Sequence, residues 1–408
     1  MTIPGSAIEL ADLVTRWVHV IAGIMWIGNS MLFNWLDRSL RPSSRAAGNA
    51  GPLGEIWLLH SGGFYFVEKT LLAGQPLPRP LHWFKWQAYT TWLSGMALLV
   101  VVYYWGGRAV LADPTVAPLS HAQAVLIGLG AIAGGWAIYE GMQRLVAPRA
   151  PAPAAVIWIA ALIAIAIALT RLLNGRAAFL HVGAMLGTIM AANVFFTIIP
   201  SQRELVATVS QGRGGDPKVS ARAKRVSIHN NYFTFPVIVL MVSSHFPSLY
   251  GNARSWLLLL VLIAAGAAVR HVLNIRFTYT SWKPVLGGTL VASVGVLYVL
   301  LVLIPGPETG TRASLSTAIP TNVSFADARH VIDRRCAVCH STQPADLTFG
   351  VAPAGVTFDT PEQIAARVLR IRERAIVTRT MPPANKTNIT DAERGILARW
   401  IDQGARIP

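Results

Sequence analysis

The sequence predicts an all-α fold, a polytopic membrane bundle of eight transmembrane helices followed by a small soluble domain, and three observations carry that reading. Of 408 residues, 53% are hydrophobic and only 13% charged, about half the charged share of an ordinary soluble chain. The apolar residues gather in runs of roughly 18 to 25, the length a bilayer requires and a soluble core does not. After Ile304 the composition turns polar and stays so to the end.

Apolar runs between polar breaks place the spans at roughly 10–36, 84–105, 120–140, 154–173, 177–199, 231–249, 255–274 and 284–304. The first run is too long for the apolar region of a cleaved leader and ends without a small-residue cleavage site, so it reads as a retained span. Between the first two spans, Glu55 to Leu72 reads as an amphipathic helix lying on the membrane surface or tucked beneath the bundle. Loops on one face hold 17 Lys/Arg and those on the other hold 5. Basic loops remain in the cytoplasm, so both termini are expected on the outer face of a bacterial inner membrane. The net charge of +16 is thereby assigned to topology and not to nucleic acid. Three units follow: a membrane domain over 1–304, a Pro/Gly/Ser/Thr linker over 305–323, and an extracytoplasmic domain over 324–408.

Cys336 and Cys339, the only cysteines, are followed at once by His340. This C-x-x-C-H spacing is the signature of covalent haem c attachment, in which two thiols form thioethers and the histidine ligates the iron. A disulfide or half a zinc site would use the same pair, but no second pair exists. Met381, the only methionine after Met241, lies in Thr380-Met381-Pro382-Pro383, where prolines stiffen a loop able to present a sulfur ligand. A helix capped by Ser324 and Asp327 precedes the motif, and His330 within it reads as a surface residue. A last helix, Thr390 to Gly404, has a Thr390/Glu393 capping box and a buried face of Ile396, Leu397, Trp400 and Ile401. The order of helix, haem motif, methionine loop and last helix is similar to a class I cytochrome c. Its place outside the cytoplasm suits c-type haem.

Ionisable residues inside spans are functional candidates by default. His19, His181 and His245 fall at similar depth in the outer half of the bilayer, with His121 at the boundary. They suit a second haem, of b type, or a metal; each is equally a hydrogen-bonded packing residue on sequence grounds. Gly23, one turn from His19, leaves room for a flat ligand or for a close helix contact. Gly183, Gly187 and Ala191 stand at small-xxx-small spacing, which serves plain helix packing more often than a cofactor groove. The cytoplasmic edge collects His60, Phe64, Tyr65, Lys69, Lys85, Asn193, Gln202, His229, Asn230, Asn231 and Tyr232, a set able to bind a planar anion or to serve as interfacial anchors. His271, with Arg270, Asn274 and Arg276, ends the seventh span at the same edge.

Four stretches in combination resemble the bacterial membrane-bound urate oxidases: Arg16-Trp-Val-His19 through Trp26-Ile-Gly28, Gly62-Gly63 through Glu68-Lys69, Trp86 through Trp92, and Ser227-Ile-His229-Asn230-Asn231-Tyr232. In that family an eight-helix domain is fused to a C-terminal cytochrome c. The resemblance implies oxidation of urate to 5-hydroxyisourate, with electrons leaving through the haem to a soluble cytochrome c or a terminal oxidase in place of direct peroxide formation. It assigns no membrane residue to urate. From the residues themselves, His229 or His60 suits the general base, with Lys69 supplying charge to the reaction. Asn230, Asn231, Gln202 and Lys85 would supply hydrogen bonds and charge, and Tyr232, Phe64 or Tyr65 a stacking surface. A quinol dehydrogenase with b haems on His19, His181 and His245 is the main alternative. A transporter or sensor with a redox-responsive tail is the other.

Overall fold

The computed structural model describes residues 5–42, 53–70, 72, 76–105, 108–114, 116–212, 217–304, 322–346 and 352–408. The expected linker, 305–323, lies outside them except for its last two residues. Long helices run antiparallel: α1 (Gly5–Ser39), α2 (Trp86–Leu98, continued by Leu99–Trp105), α4 (His121–Gly141), α5 (Pro151–Leu172), α6 (Gly175–Asn193), α8 (Pro217–Ser243), α10 (Ser255–Ile275) and α11 (Trp282–Tyr298). Short helices α3 (Arg108–Leu111), α7 (Ile199–Ser210) and α9 (Pro247–Tyr250) lie at their ends, α7 prolonging α6. Seven of these rods are long and apolar enough to cross a membrane, Pro151–Leu172 being the most apolar with a mean hydropathy of 2.6. The segment expected as the remaining span, 84–105, is α2 with its extension. It packs along α1, but Trp86, Gln87, Thr90, Thr91 and Ser94 keep its first half too polar to join the seven.

Helix α6 is the centre of the bundle. Ala177, Ala178, Phe179, Val182, Met185, Leu186 and Ile189 are fully buried on it, whereas α11 buries nothing. Helix α1 likewise turns Leu13, Trp17, Ile24 and Met25 outward. Contiguous apolar surface of that extent needs a cover, and a bilayer supplies one.

The stretch from Glu55 to Leu72 is not the expected amphipathic helix. It is an antiparallel hairpin, β1 (Gly54–His60) with β2 (Gly63–Lys69), in a register that pairs Gly54 with Lys69 and His60 with Gly63. Ser61 and Gly62 have φ of 51° and 75°, the paired positive values that a two-residue hairpin turn demands and that glycine supplies without strain. The aromatic and β-branched residues of both runs favour extended backbone once that turn exists. The hairpin hangs from the end of α1, where Arg41 bridges to Glu55.

At the opposite end sits the tail. Its first helix, Phe325–Arg335, and last helix, Asp391–Asp402, each begin with a complete capping box, Ser324/Asp327 and Thr390/Glu393. They enclose a core of Val331, Ile332, Ile364, Leu397 and Trp400, with Phe325 tilted on Trp400 at 5.8 Å. Arg335 donates to Glu393 at 2.9 Å, tying the two helices together. The turn Pro383–Asn385 rests on α3. Gly251, just past α9, lies so close to Thr378 and Thr380 that a Cβ there would come within 2.8 Å of each. The tail is thus seated on the bundle through the loop that carries Met381.

Burial works against the Glu393 carboxylate, but hydrogen bonds from Thr390 and the Arg335 guanidinium prevail and hold it below the usual glutamate range. A depressed folded value contributes stability above the unfolded value, lost as pH falls through the folded one. Protection of the last helix against hydrogen exchange is therefore expected to weaken below about pH 4. Glu393→Gln should flatten that dependence and cost up to about 1 kcal/mol at neutral pH through the lost ion pair, since glutamine still accepts at the cap; an unchanged pH profile would refute the assignment.

Candidate functional site

Three successive residues of α8 organise the hairpin end of the bundle. Consecutive helical positions point about 100° apart, so His229, Asn230 and Asn231 meet different helices. His229 Nδ1 lies 2.8 Å from the Tyr139 hydroxyl on α4. Asn193 of α6 donates from Nδ2 to that hydroxyl at 3.0 Å and to Asn230 Oδ1 at 2.8 Å. Asn230 Nδ2 in turn donates to the Met190 carbonyl at 2.9 Å. On the other side, Asn231 Oδ1 accepts from Arg270 Nε at 3.0 Å and from Asn274 Nδ2 at 2.7 Å, both on α10. Helix α6 widens into a looser turn over Val194–Ile198, directly after Asn193, a distortion that often accompanies functional positions.

This layer is buried and nearly saturated with hydrogen bonds, as low-dielectric surroundings require. Arg270 is the exception. It is 3% exposed and no carboxylate pairs with it among the described residues, while its Nη2 is buried without an acceptor. A buried guanidinium with an unused donor is costly unless an anion completes it.

Of the expected site residues, the structure brings His229, Asn230 and Asn231 into one layer. Tyr232 stands beside it, its hydroxyl 2.7 Å from His271 Nδ1 with the rings stacked. The others are placed elsewhere. His60 is exposed at the hairpin tip, Phe64 and Tyr65 project from β2, and Lys69 pairs with Asp37 at 2.6 Å. Lys85 lies over the Trp86 ring at 5.4 Å and Gln202 is exposed. A helix over 55–72 would lie on the membrane surface or beneath the bundle; the hairpin instead leaves His60 exposed at its tip and ties Lys69 to Asp37 of α1. Tyr139, Asn193, Arg270 and Asn274 complete the layer. Arg270 and Asn274, both at the end of the seventh span, and Asn193, where the fifth span leaves the bundle, were its visible signal; nothing local marks Tyr139.

The three histidines expected at similar depth differ. A carbonyl only accepts, so a ring nitrogen facing one carries the proton. His181 donates from Nδ1 to the Ala177 carbonyl at 2.7 Å, and its Nε2 takes the Tyr104 hydroxyl at 3.0 Å. Fully buried against Gly128, it has no free lone pair. His19 donates from Nδ1 to the Thr91 carbonyl at 2.9 Å, close to Ser94 Oγ at 3.2 Å, and its Nε2 has no partner among the described residues. His19 and His245 both line a cavity bounded by α1, α2, α6 and α8, which His181 does not reach.

In the tail, Cys336 and Cys339 are free thiols one turn apart at the end of the first helix. Burial pushes the Cys336 thiol up to about 12. Burial, the Asp346 carboxylate and its hydrogen bond raise Cys339 to about 11. His340 donates from Nδ1 to the Val356 carbonyl at 2.9 Å, which leaves Nε2 as the lone-pair nitrogen. Burial also holds its imidazole below the ordinary value, so it is neutral at pH 7, the form that ligates a metal. Arg394 Nη1 donates to the Met381 carbonyl at 3.0 Å and to the Ala375 carbonyl, pinning the methionine loop to the last helix. Two adjacent thiols, an oriented imidazole and a tethered thioether loop form a donor set that fits a covalent haem.

A model of the family described as urate oxidase N-terminal matches residues 5–304. No curated protein and no solved structure matches the chain.

Proposed function

The chain belongs to the urate oxidase N-terminal family, and from that membership we propose that it is a membrane-bound urate oxidase whose electrons leave through the tail. The reaction is urate plus water to 5-hydroxyisourate, two protons and two electrons, with the electrons passing singly to a respiratory acceptor. Urate enters the layer of Tyr139, Asn193, His229, Asn230, Asn231 and Arg270. By the loop charges that layer faces the cytoplasm and the tail faces the periplasm of a bacterial inner membrane.

The buried guanidinium of Arg270 carries the reading. Urate is a planar monoanion at neutral pH, and Arg270 Nη2 offers it a charge-assisted hydrogen bond. Asn193 and Asn230, hydrogen-bonded to each other and to Tyr139 and Met190, hold the layer in place around it. The Tyr139 hydroxyl accepts from Asn193, so its own proton points at His229 Nδ1, and a substrate N–H can lose its proton along that pair. Cys336, Cys339, His340 and Met381 would hold a haem c, which when bound supplies a one-electron acceptor on the tail. A quinol dehydrogenase with three haem-ligating histidines is disfavoured by His181, both of whose nitrogens are already engaged.

Arg270→Gln is expected to raise KM for urate by at least about tenfold, the loss of one charge-assisted hydrogen bond. The tail should stay loaded with haem and folding stability should not fall, because a lone buried charge is removed. Anaerobic stopped-flow reduction of the tail haem by urate measures this, and an unchanged KM would refute the anchor. Failure of urate to reduce the wild-type protein, with full reduction by dithionite, would overturn the function itself.

A further inference from the structure

Oxidation at the hairpin end and electron exit at the other leave a gap. His19 stands about 22 Å from Asn34 along α1 at 1.5 Å per residue, and Asn34 Nδ2 reaches Asn274 of the polar layer at 3.4 Å. A direct transfer from that layer to the tail crosses most of the bundle, too far for turnover in one step. The gap is spanned by one cavity, lined at the layer end by Met190, whose carbonyl accepts from Asn230, and at the tail end by His19 and Arg176.

We propose that the cavity between α1, α2, α6 and α8 is a binding site for a b-type haem, with His19 Nε2 as an iron ligand. The cavity measures ≈ 320 Å³, within the range of about 300–1,000 Å³ typical of cofactor sites. His19 meets it already oriented. The Thr91 carbonyl fixes the proton on Nδ1 and directs the lone pair to Nε2, the arrangement found behind metal-ligating histidines. Gly95 permits the ring its place, since a Cβ there would sit 2.9 Å from His19 Cε1 and 3.3 Å from Nδ1.

The walls suit a flat macrocycle. Gly23 and Gly187 face the cavity from α1 and α6, and a Cβ on Gly187 would meet nothing within 4 Å. Most of the remaining lining is apolar. Towards the tail the character changes: Arg176 lines the cavity and its Nε is buried with no acceptor. Haem carries two propionates, and a guanidinium at one end of an apolar slot is the group that receives them.

The site also leads to the tail. Arg176 follows Gly175, which abuts the Tyr250 carbonyl, and the next residue, Gly251, touches Thr378 and Thr380 beside Met381. Per urate, the ferric b haem would be reduced twice by one electron and reoxidised each time by the ferric haem of the tail. The electron role rests on the urate reading; haem binding does not.

The test uses the purified full-length protein. Pyridine haemochrome spectra are expected to show b and c haem in a 1:1 ratio, and acidified acetone should extract only the b haem. His19→Ala should lose at least tenfold of the b signal while the c signal per protein is unchanged. Gly187→Phe, which fills the cavity without touching the His19 hydrogen bonds, should do the same and guards against misfolding of the first variant. A wild-type spectrum with c haem alone, or His19→Ala retaining full b haem, would overturn the proposal. Haem b present but not reduced by urate would sink the urate reading and leave the site intact.

Discussion

Replacing Cys336 and Cys339 together by serine is expected to remove covalent haem entirely and to lower urate-dependent reduction of an external acceptor by about a thousandfold or more, since the terminal one-electron carrier is gone. The tail should still fold. Its core of Val331, Ile332, Leu397 and Trp400 is built from the two capped helices and their partners, with Cys336 packed only against its edge. His340→Ala is the milder companion, because thioethers can still form while the iron loses the ligand held by the Val356 carbonyl. Haem-stained denaturing gels separate the two cases: no stain for the double serine variant, full stain with an altered visible spectrum for His340→Ala. Retention of urate-driven turnover in the serine variant would show that electrons leave the bundle by another route.

His229→Ala is the second large effect, a fall in kcat of about 10² to 10⁴ with urate KM within a few fold and the tail fully loaded. The geometry behind this is a three-membered chain in which Asn193 fixes the Tyr139 oxygen and Tyr139 directs its proton at His229 Nδ1. Removing the imidazole leaves the hydroxyl with no acceptor for the substrate proton, whereas Arg270 still holds the anion. Tyr139→Phe should reproduce much of the loss and His229→Ala should add little to it, since residues acting as one unit are not additive. A wild-type rate in folded, haem-loaded His229→Ala would remove the base assignment. Independent, multiplying losses would break the chain into separate roles.

Much of the molecule was legible in one dimension where the cause is local. Runs of apolar residues dictate membrane-spanning helices because backbone groups in lipid must bond within their own segment. Cys336, Cys339 and His340 are neighbours in sequence, so their chemistry is written in their spacing. The capping boxes at Ser324 and Thr390 are likewise four-residue events, and both occur where expected. The segment over 55–72 was misread although its cause is local too. Its apolar residues fit both periods, and the Ser61-Gly62 turn decides between them.

By itself, then, the sequence determined the helical class, the rods, the tail and the thiol-imidazole motif, each a matter of neighbours along the chain. Only the tertiary structure decided which histidine has a free lone pair. His19 and His181 look alike in sequence, but Thr91 and Ser94 engage only Nδ1 of the first while Ala177 and Tyr104 occupy both nitrogens of the second. It also decided which polar residues share a layer. Tyr139, Asn193, Asn230 and Arg270 come from four helices, and burial forces polar groups on packed helices to find one another wherever they lie in the chain.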